Sequence, residues 1–416
     1  MRFITGCLGL FLILFFLAFG SVANSQTLKI LNIEYIDYYF ENGSPLLWKI
    51  ENDTLLKISL IPDYQRQTLN RQTDHWYFRI IATKGTRLRM TIEKMVPDVY
   101  NGRPATDWWS YREGIPCYFS YDNSGWEALK TTTLPGKELY VDFEMKEGSV
   151  YLARLPVYTT YNLNNLLERI AEKRNIKVIN IGKTIENRPL ELIQLGNPDA
   201  KYQVILRSRA HPWEPGGNWV VEGFIDEFVH HASQAQRENF CFYIMPMANK
   251  DGVVRGMTRF NTAGMDLNRN WEKESDSLLC PENYCLEKFI EGLIKKGKKP
   301  TLVIDLHNDD KGDIHLAKRD KGDTGFQSDM QKLEKLMREH TSFSESLRYS
   351  YNTDGQATVM TIDNGLYIRY GIESFVYELN ANWITGLKKI PSLDDWKETG
   401  KGLMQVLYKY LENNQK

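Results

Sequence analysis

Apolar and polar residues alternate in short runs through the first third of the chain: Leu55 to Leu60, Trp76 to Ile81, Leu88 to Ile92 and Leu139 to Phe143, each broken by turn residues. A period of two is the mark of a half-buried strand. Short strands at this spacing, with no helical pattern between them, predict a β-sandwich domain over residues 26–155. Trp108, Trp109, Tyr118, Phe119, Tyr121 and Trp126 crowd one stretch of it. A carbohydrate platform is one reading of that cluster. Core and turn packing is favoured, because aromatics dominate the cores of small β-domains.

After Pro156 the period changes. Leu163, Leu166, Leu167 and Ile170 recur at helical spacing and predict a helix from Asn162 to Arg174. Helical patterns return at Trp219 to His230, Gln327 to Glu339 and Trp396 to Glu412, with strand-like runs between them. This alternation predicts an α/β domain over residues 156–416, built on a mixed, largely parallel sheet with helices on both faces.

Two of the strand-like runs end on candidate chemistry. Tyr202 to Arg207 stops just before His211 and Glu214, and Leu302 to Leu306 stops just before His307. In an open α/β sheet, ligand sites form at the carboxyl ends of strands. Two His and one Glu match the three protein ligands of a catalytic zinc, which keeps a fourth position for water. Glu378 closes the apolar run from Ser374, where a carboxylate without a partner is costly, so it leans towards function. It is the candidate base for a water acidified by zinc. Taken singly, each of these residues has a plainer role: a hydrogen-bonded strand-end His, a solvated Arg259, a turn-forming Asn268.

Between the ligands lie Asn249-Lys-Asp-Gly252, Arg259 and Met265-Asp-Leu-Asn-Arg-Asn-Trp271. In this order the chain resembles the zinc carboxypeptidase family, the carboxypeptidase A-like enzymes. The resemblance implies zinc ligands at His211, Glu214 and His307, one zinc per chain, a general base at Glu378 and an oxyanion-stabilising Arg259. It also implies that Asn268 and Arg269 grip the substrate's terminal carboxylate, which a guanidinium fork suits. The sandwich, the linker from Tyr151 to Thr159 and the segment Met257 to Arg269 look like the cytosolic-type branch. Departures are Trp213, where a small residue is usual, and Lys250, where Pro is usual. The family's substrate-contacting tyrosine falls among Tyr349, Tyr351, Tyr367 and Tyr370. The resemblance implies that side-chain preference is set by pocket-floor residues before the base, near Ile362, Asp363 and Asn364: Asp363 at the pocket floor would favour Lys or Arg termini, and Arg369 reaching in would favour acidic ones.

The N-terminus alters the expected address. Arg2 precedes an apolar run from Leu8 to Phe19, followed by small residues at Gly20, Ser21, Ala23 and Ser25. That layout predicts a signal peptide over residues 1–25 and a secreted or periplasmic enzyme, ahead of a membrane anchor, for which the run is short. Cys280 and Cys285 would then be placed to close a small disulfide loop, while Cys241 in an apolar run reads as core. Lys and Arg number 52 against 53 Asp and Glu, a balance that suggests neither nucleic acid nor a membrane surface as partner. The expected partners are peptide or protein C-termini, with no membrane span left after signal cleavage. The expected reaction is hydrolysis of the C-terminal peptide bond. Alternatives are a cell-wall peptide hydrolase or amidase of the same family, and a catalytically silent binding module, which would have no need of Glu378.

Overall fold

The computed structural model describes residues 33–413, apart from 53–54, 67–71, 94–98, 101–102, 105–113, 135–137, 311, 318, 320–322 and 350–359. The N-terminal strands are β1 (Ile33–Asp37), β2 (Leu46–Asn52), β3 (Leu55–Leu60), β4 (Tyr77–Ala82), β5 (Arg87–Glu93), β6 (Val99–Tyr100), β7 (Arg103–Pro104), β8 (Cys117–Ser120), β9 (Glu127–Leu129), β10 (Thr132–Thr133), β11 (Leu139–Glu144) and β12 (Ser149–Ala153). Two five-stranded sheets run in the orders β1-β4-β12-β8-β9 and β10-β11-β5-β3-β2. Alternation does what the sequence implies: β3 buries Leu56, Ile58 and Leu60, and these meet Ile80, Val150 and Leu152 of the facing sheet in one core. The aromatic cluster packs. Tyr118 is buried with its hydroxyl donating to Pro391 O at 2.5 Å, Phe119 lies edge-on to Tyr121, and Trp126 meets Tyr77. Trp108 and Trp109 lie outside the described residues.

The rest of the chain is α/β. Its strands are β13 (Ile176–Lys183), β14 (Pro189–Gly196), β15 (Tyr202–Ser208), β16 (Phe240–Met245), β17 (Leu302–Asp309), β18 (Ile314–Leu316), β19 (Leu347–Arg348) and β20 (Ser374–Asn380). Its helices are α1 (Thr160–Ile170), α2 (Gly216–His231), α3 (Gln234–Asn239), α4 (Lys250–Val254), α5 (Pro281–Lys295), α6 (Thr324–His340), α7 (Ile362–Tyr370) and α8 (Leu393–Asn413). The strands form one mixed sheet, β13-β14-β16-β15-β17-β20-β18-β19. Its centre, β16-β15-β17-β20, is parallel, and β14 and β18 join it antiparallel on either side. The central strands are apolar on both faces because both faces are covered. Val204, Leu206, Phe242 and Ile244 pack with α1, α2, α6 and α8. Their sequence neighbours Ile205 and Tyr243 pack with α5 and α7 on the opposite face.

Two expected boundaries shift. Helix α1 stops at Ile170, its last buried position, because Glu172 to Arg174 are exposed and bury nothing. Strand β17 continues through His307 to Asp309, held in register by β20, so His307 lies within a strand rather than after it.

The sandwich abuts the α/β part at Trp213, one of the two sequence departures. Trp213 is buried against the Arg154 guanidinium, which lies 5.6 Å from its ring and 5.7 Å from that of Trp76. Desolvated cation–π contacts of this kind are worth about 2 kcal/mol. Lys250 replaces proline with a buried ammonium that donates to Pro189 O at 2.6 Å and pairs with Glu191. Gly256, at φ +65°, leaves 2.0 Å between an ideal Cβ and Gly43 O, so only glycine lets the two backbones meet there.

Helix α5 settles the cysteine pair. Cys280 is its N-cap and Cys285 lies inside it. Five helical steps turn the chain by about 140° beyond a full turn, and Cys117, Cys241, Cys280 and Cys285 are all free thiols. One turn away, Glu282 is buried with Oε1 lacking a hydrogen-bond partner among the described residues, and burial pushes its carboxyl up to about 8 from the ordinary 4.5. Between those two values the folded chain keeps a proton that the unfolded chain has lost, so this group makes stability fall as pH rises from about 4.5 to about 8. Glu282→Gln is expected to remove that slope. Denaturant titrations at either end of the window should show the variant losing less stability than the parent, by on the order of 2–4 kcal/mol. Equal losses would place the proton elsewhere.

Candidate metal centre

Three parallel strands deliver the site. Beyond the end of β15 the chain turns sharply at Arg209, whose φ of 61° is uncommon outside glycine. Its own guanidinium holds the turn, donating to Pro212 O at 2.7 Å and Asn218 Oδ1 at 2.9 Å. Gly217 lets α2 start hard against the sheet, since an ideal Cβ would lie 2.9 Å from Ser208 Cβ and 3.0 Å from Leu306 Cβ. His211 and Glu214 occupy the turn so formed.

His211 Nδ1 lies 2.8 Å from Glu214 Oε1, His307 Nδ1 lies 2.7 Å from Glu214 Oε2, and the two Nδ1 atoms are 3.1 Å apart. Among the described residues these three form a cluster whose ligand atoms all lie within 4.8 Å of one another. Each outer nitrogen meets a carboxylate: His211 Nε2 is 3.1 Å from Asp266 Oδ1, and His307 Nε2 is 2.7 Å from Asp305 Oδ2. A carboxylate partner fixes the ring proton on Nε2 and turns the Nδ1 lone pair inward. Two lone pairs and a carboxylate then converge, a set that a divalent cation satisfies, so the residues fit a zinc of the three-ligand kind. The same crowding shows in the proton affinities. Burial opposes a charged His307, but Asp305 and Glu214 outweigh it and hold its pKa well above the ordinary value. Burial likewise opposes a charged Glu214, which His211 and His307 nevertheless hold down to about 2.

Asp266, Asp305 and Arg207 carry this arrangement and were not singled out in the sequence. Arg207 and Asp305 are register partners on β15 and β17, both fully buried and joined at 2.7 and 2.5 Å. Arg207 also donates to Leu267 O at 3.1 Å, tying in the loop that holds Asp266. The signal was available: Asp305 lies two residues before His307 on one strand, hence on the same face.

Glu378 faces His307 across the ladder between β17 and β20. Its Oε2 is buried with no hydrogen-bond partner among the described residues. Burial drives this carboxyl well above the usual range; His307 opposes the shift, while Asp309, Glu214 and Asp305 add to it.

The remaining candidates surround this group. Arg259 is buried, not solvated: Nε and Nη2 hold Asp266 Oδ2 at 2.8 Å each, and Nη1 donates to Gln72 Oε1 at 3.2 Å. Asn268 accepts from Ile362 N at 3.0 Å and places Nδ2 at 3.4 Å from His307 Nε2. Arg269 donates to Asn268 O at 2.8 Å, and no carboxylate among the described residues pairs with it. Of the tyrosines, Tyr367 lies under Arg319, Tyr370 donates to Glu291 at 2.9 Å, and Tyr349 meets Phe326 edge-on. Tyr351 lies outside the described residues. Arg369 does not reach in; it is tied to Glu287 and to Lys273 O. Asp363 is buried, its Oδ1 lacks a hydrogen-bond partner among the described residues, and burial pushes it up to about 6.

The zinc carboxypeptidase family model matches residues 163–383, more than half of the chain. The chain belongs to the zinc carboxypeptidase family. It is a peptidase by that membership, and zinc is the metal the family implies. A second family model, the cytosolic carboxypeptidase N-terminal domain, matches residues 36–155. An uncharacterised protein of Zymomonas mobilis is 24% identical over 81% of this chain and 87% of its own length. Cytosolic carboxypeptidase 3 of Bos taurus is 26% identical over 63% of this chain, and cytosolic carboxypeptidase 2 of Homo sapiens 28% identical over 53%. The matches span only 29% and 28% of those two proteins. The fold is shared with a metallo-carboxypeptidase from Burkholderia cenocepacia (TM-score 0.76, 20% identity, 91% of this chain and 98% of that one). It is shared too with one from Pseudomonas aeruginosa (TM-score 0.77, 20% identity, 92% and 100%).

These relatives correct the expected address. The named ones are cytosolic carboxypeptidases and the first domain matches theirs, which points away from a secreted or periplasmic protein. Residues 1–25, read as a signal peptide, lie outside the described residues, and the disulfide that export would have allowed is not formed. Among the described residues no helix is long and apolar enough to cross a membrane.

Proposed function

We propose that this chain is a zinc-dependent metallocarboxypeptidase, a β-sandwich domain to residue 155 followed by the catalytic domain, which removes the last residue of a peptide. The observation that carries the proposal is the convergence of His211 Nδ1, Glu214 and His307 Nδ1 beside Glu378, whose Oε2 has no hydrogen-bond partner among the described residues. His211, Glu214 and His307 would hold one zinc, which supplies acidification of water and polarisation of a carbonyl oxygen. Glu378 takes a proton at Oε2 from the attacking water and returns it to the leaving amine, a task that its raised proton affinity suits. Arg259, fixed by Asp266, offers a preorganised cation to the developing oxyanion. Arg269, which donates to Asn268 O and helps hold Asp266 ionised, offers its fork to the terminal carboxylate with Asn268 beside it. An Asp363 Oδ1 with no hydrogen-bond partner among the described residues, together with an occupied Arg369, supports a basic terminal side chain over an acidic one.

The test compares a peptide with its C-terminal amide. Amidation removes a charge-assisted contact and is expected to lower kcat/KM by about 30- to 1000-fold. Arg269→Ala should cost the free acid a similar factor and the amide much less, which separates loss of the contact from general damage. Equal losses on both substrates would make Arg269 structural and favour the amidase or murein-peptide alternative.

A further inference from the structure

The arginine assigned to the oxyanion is built in from both domains. Asp63 lies between β3 and β4 of the sandwich, yet its carboxylate accepts the backbone N–H groups of Thr258 (3.0 Å), Arg259 (2.6 Å) and Phe260 (3.1 Å). Three successive main-chain donors on one carboxylate fix the path of a loop that has no helix or strand to hold it. Gln72, also from the segment between β3 and β4, accepts from the Arg259 guanidinium itself at 3.2 Å. Arg66 N donates to Gly264 O at 2.9 Å, closing the far side of the same loop. The loop passes this order on: Thr258 O accepts from Trp213 N at 3.1 Å, between His211 and Glu214.

We infer that Asp63 and Gln72 are positioning residues for the reaction, so that the sandwich completes the catalytic site by aiming Arg259. The inference rests on the proposed role of Arg259. The guanidinium already spends Nε and Nη2 on Asp266. The direction left to its remaining N–H groups is set by where Asp63 pins the Arg259 backbone and where Gln72 holds Nη1. A group that acts on developing charge loses most of its effect when displaced by about 1 Å. The loss should therefore fall on kcat and leave KM nearly unchanged.

The experiment is a double-mutant cycle on the full-length, metal-loaded protein, with metal content and thermal unfolding measured on every variant. Asp63→Asn keeps the side chain's shape but presents an amide where three donors need acceptors. It is expected to lower kcat by about 10- to 100-fold with KM within about threefold. Gln72→Leu, which removes the acceptor of the guanidinium and leaves the Asp63 bonds in place, should lower kcat by roughly 3- to 10-fold, and it carries the test if Asp63→Asn fails to fold. In an Arg259→Ala background, either substitution should change kcat by less than about threefold, because the group they aim is gone. Losses of equal size in both backgrounds would reduce Asp63 and Gln72 to structural roles and overturn the inference alone. An unchanged kcat in Arg259→Ala itself would overturn the assigned role of that arginine, and the inference with it.

Discussion

Glu378→Gln is expected to keep the metal and lose turnover by about 10²- to 10⁴-fold, the usual worth of a general base. Glutamine fills the same space but has no oxygen basic enough to take the proton. The ligand cluster of His211, Glu214 and His307 does not include Glu378, so metal content measured by elemental analysis should match that of the parent. Stability should not suffer. Burial, Asp309, Glu214 and Asp305 all oppose the charge on this carboxylate, and only His307 favours it among the leading influences, so a neutral side chain relieves strain on balance. Because the carboxyl is raised, its basic form appears only as pH climbs through that raised value, and the acidic limb of the kcat profile should follow Glu378 and vanish in the variant. Turnover within about tenfold of the parent would mean that another group takes the proton.

His307→Ala and His211→Ala should each reduce zinc from about one per chain to a small fraction and take peptide hydrolysis to background, because two ligands do not hold a catalytic zinc. The scaffold should survive His307→Ala. Asp305 keeps its bidentate pairing with Arg207, and Glu214, although its Oε2 loses His307, keeps His211 on Oε1. Asp305→Asn keeps all three ligands and should weaken zinc by about 10- to 100-fold, the usual cost of disturbing an outer partner. Full occupancy in both histidine variants would remove the metal assignment.

The readable parts of the molecule share a physical cause. Strands β15, β16 and β17 are apolar on both faces, so their runs stand out without help from tertiary structure, and the residues at their ends inherit that clarity. Glu378 was legible because a carboxylate closing an apolar run is expensive. Asp266 and Asp305 were not, although each lies two positions from a residue that was singled out. An acidic residue beside a histidine has the composition of an ordinary polar surface, and only the fold shows it fully buried. Arg259 erred the same way in its plainer reading. Asp63 was beyond reach, since its bonds close a gap of 195 residues to Thr258 and no local period records them. Export was read from an apolar run at the N-terminus, whose composition suits a signal peptide; the relatives overrule it.

Trp213, placed between the candidate ligands His211 and Glu214 and stacked on Arg154, makes the boundary between the halves a poor place to cut. Separated from the sandwich, the catalytic half would present an indole to water where it now has a guanidinium, and the turn bearing His211 and Glu214 would lose its wall. The sandwich would be left with a buried cation whose aromatic clamp had lost one jaw. Each half therefore covers a surface that the other cannot bury by itself.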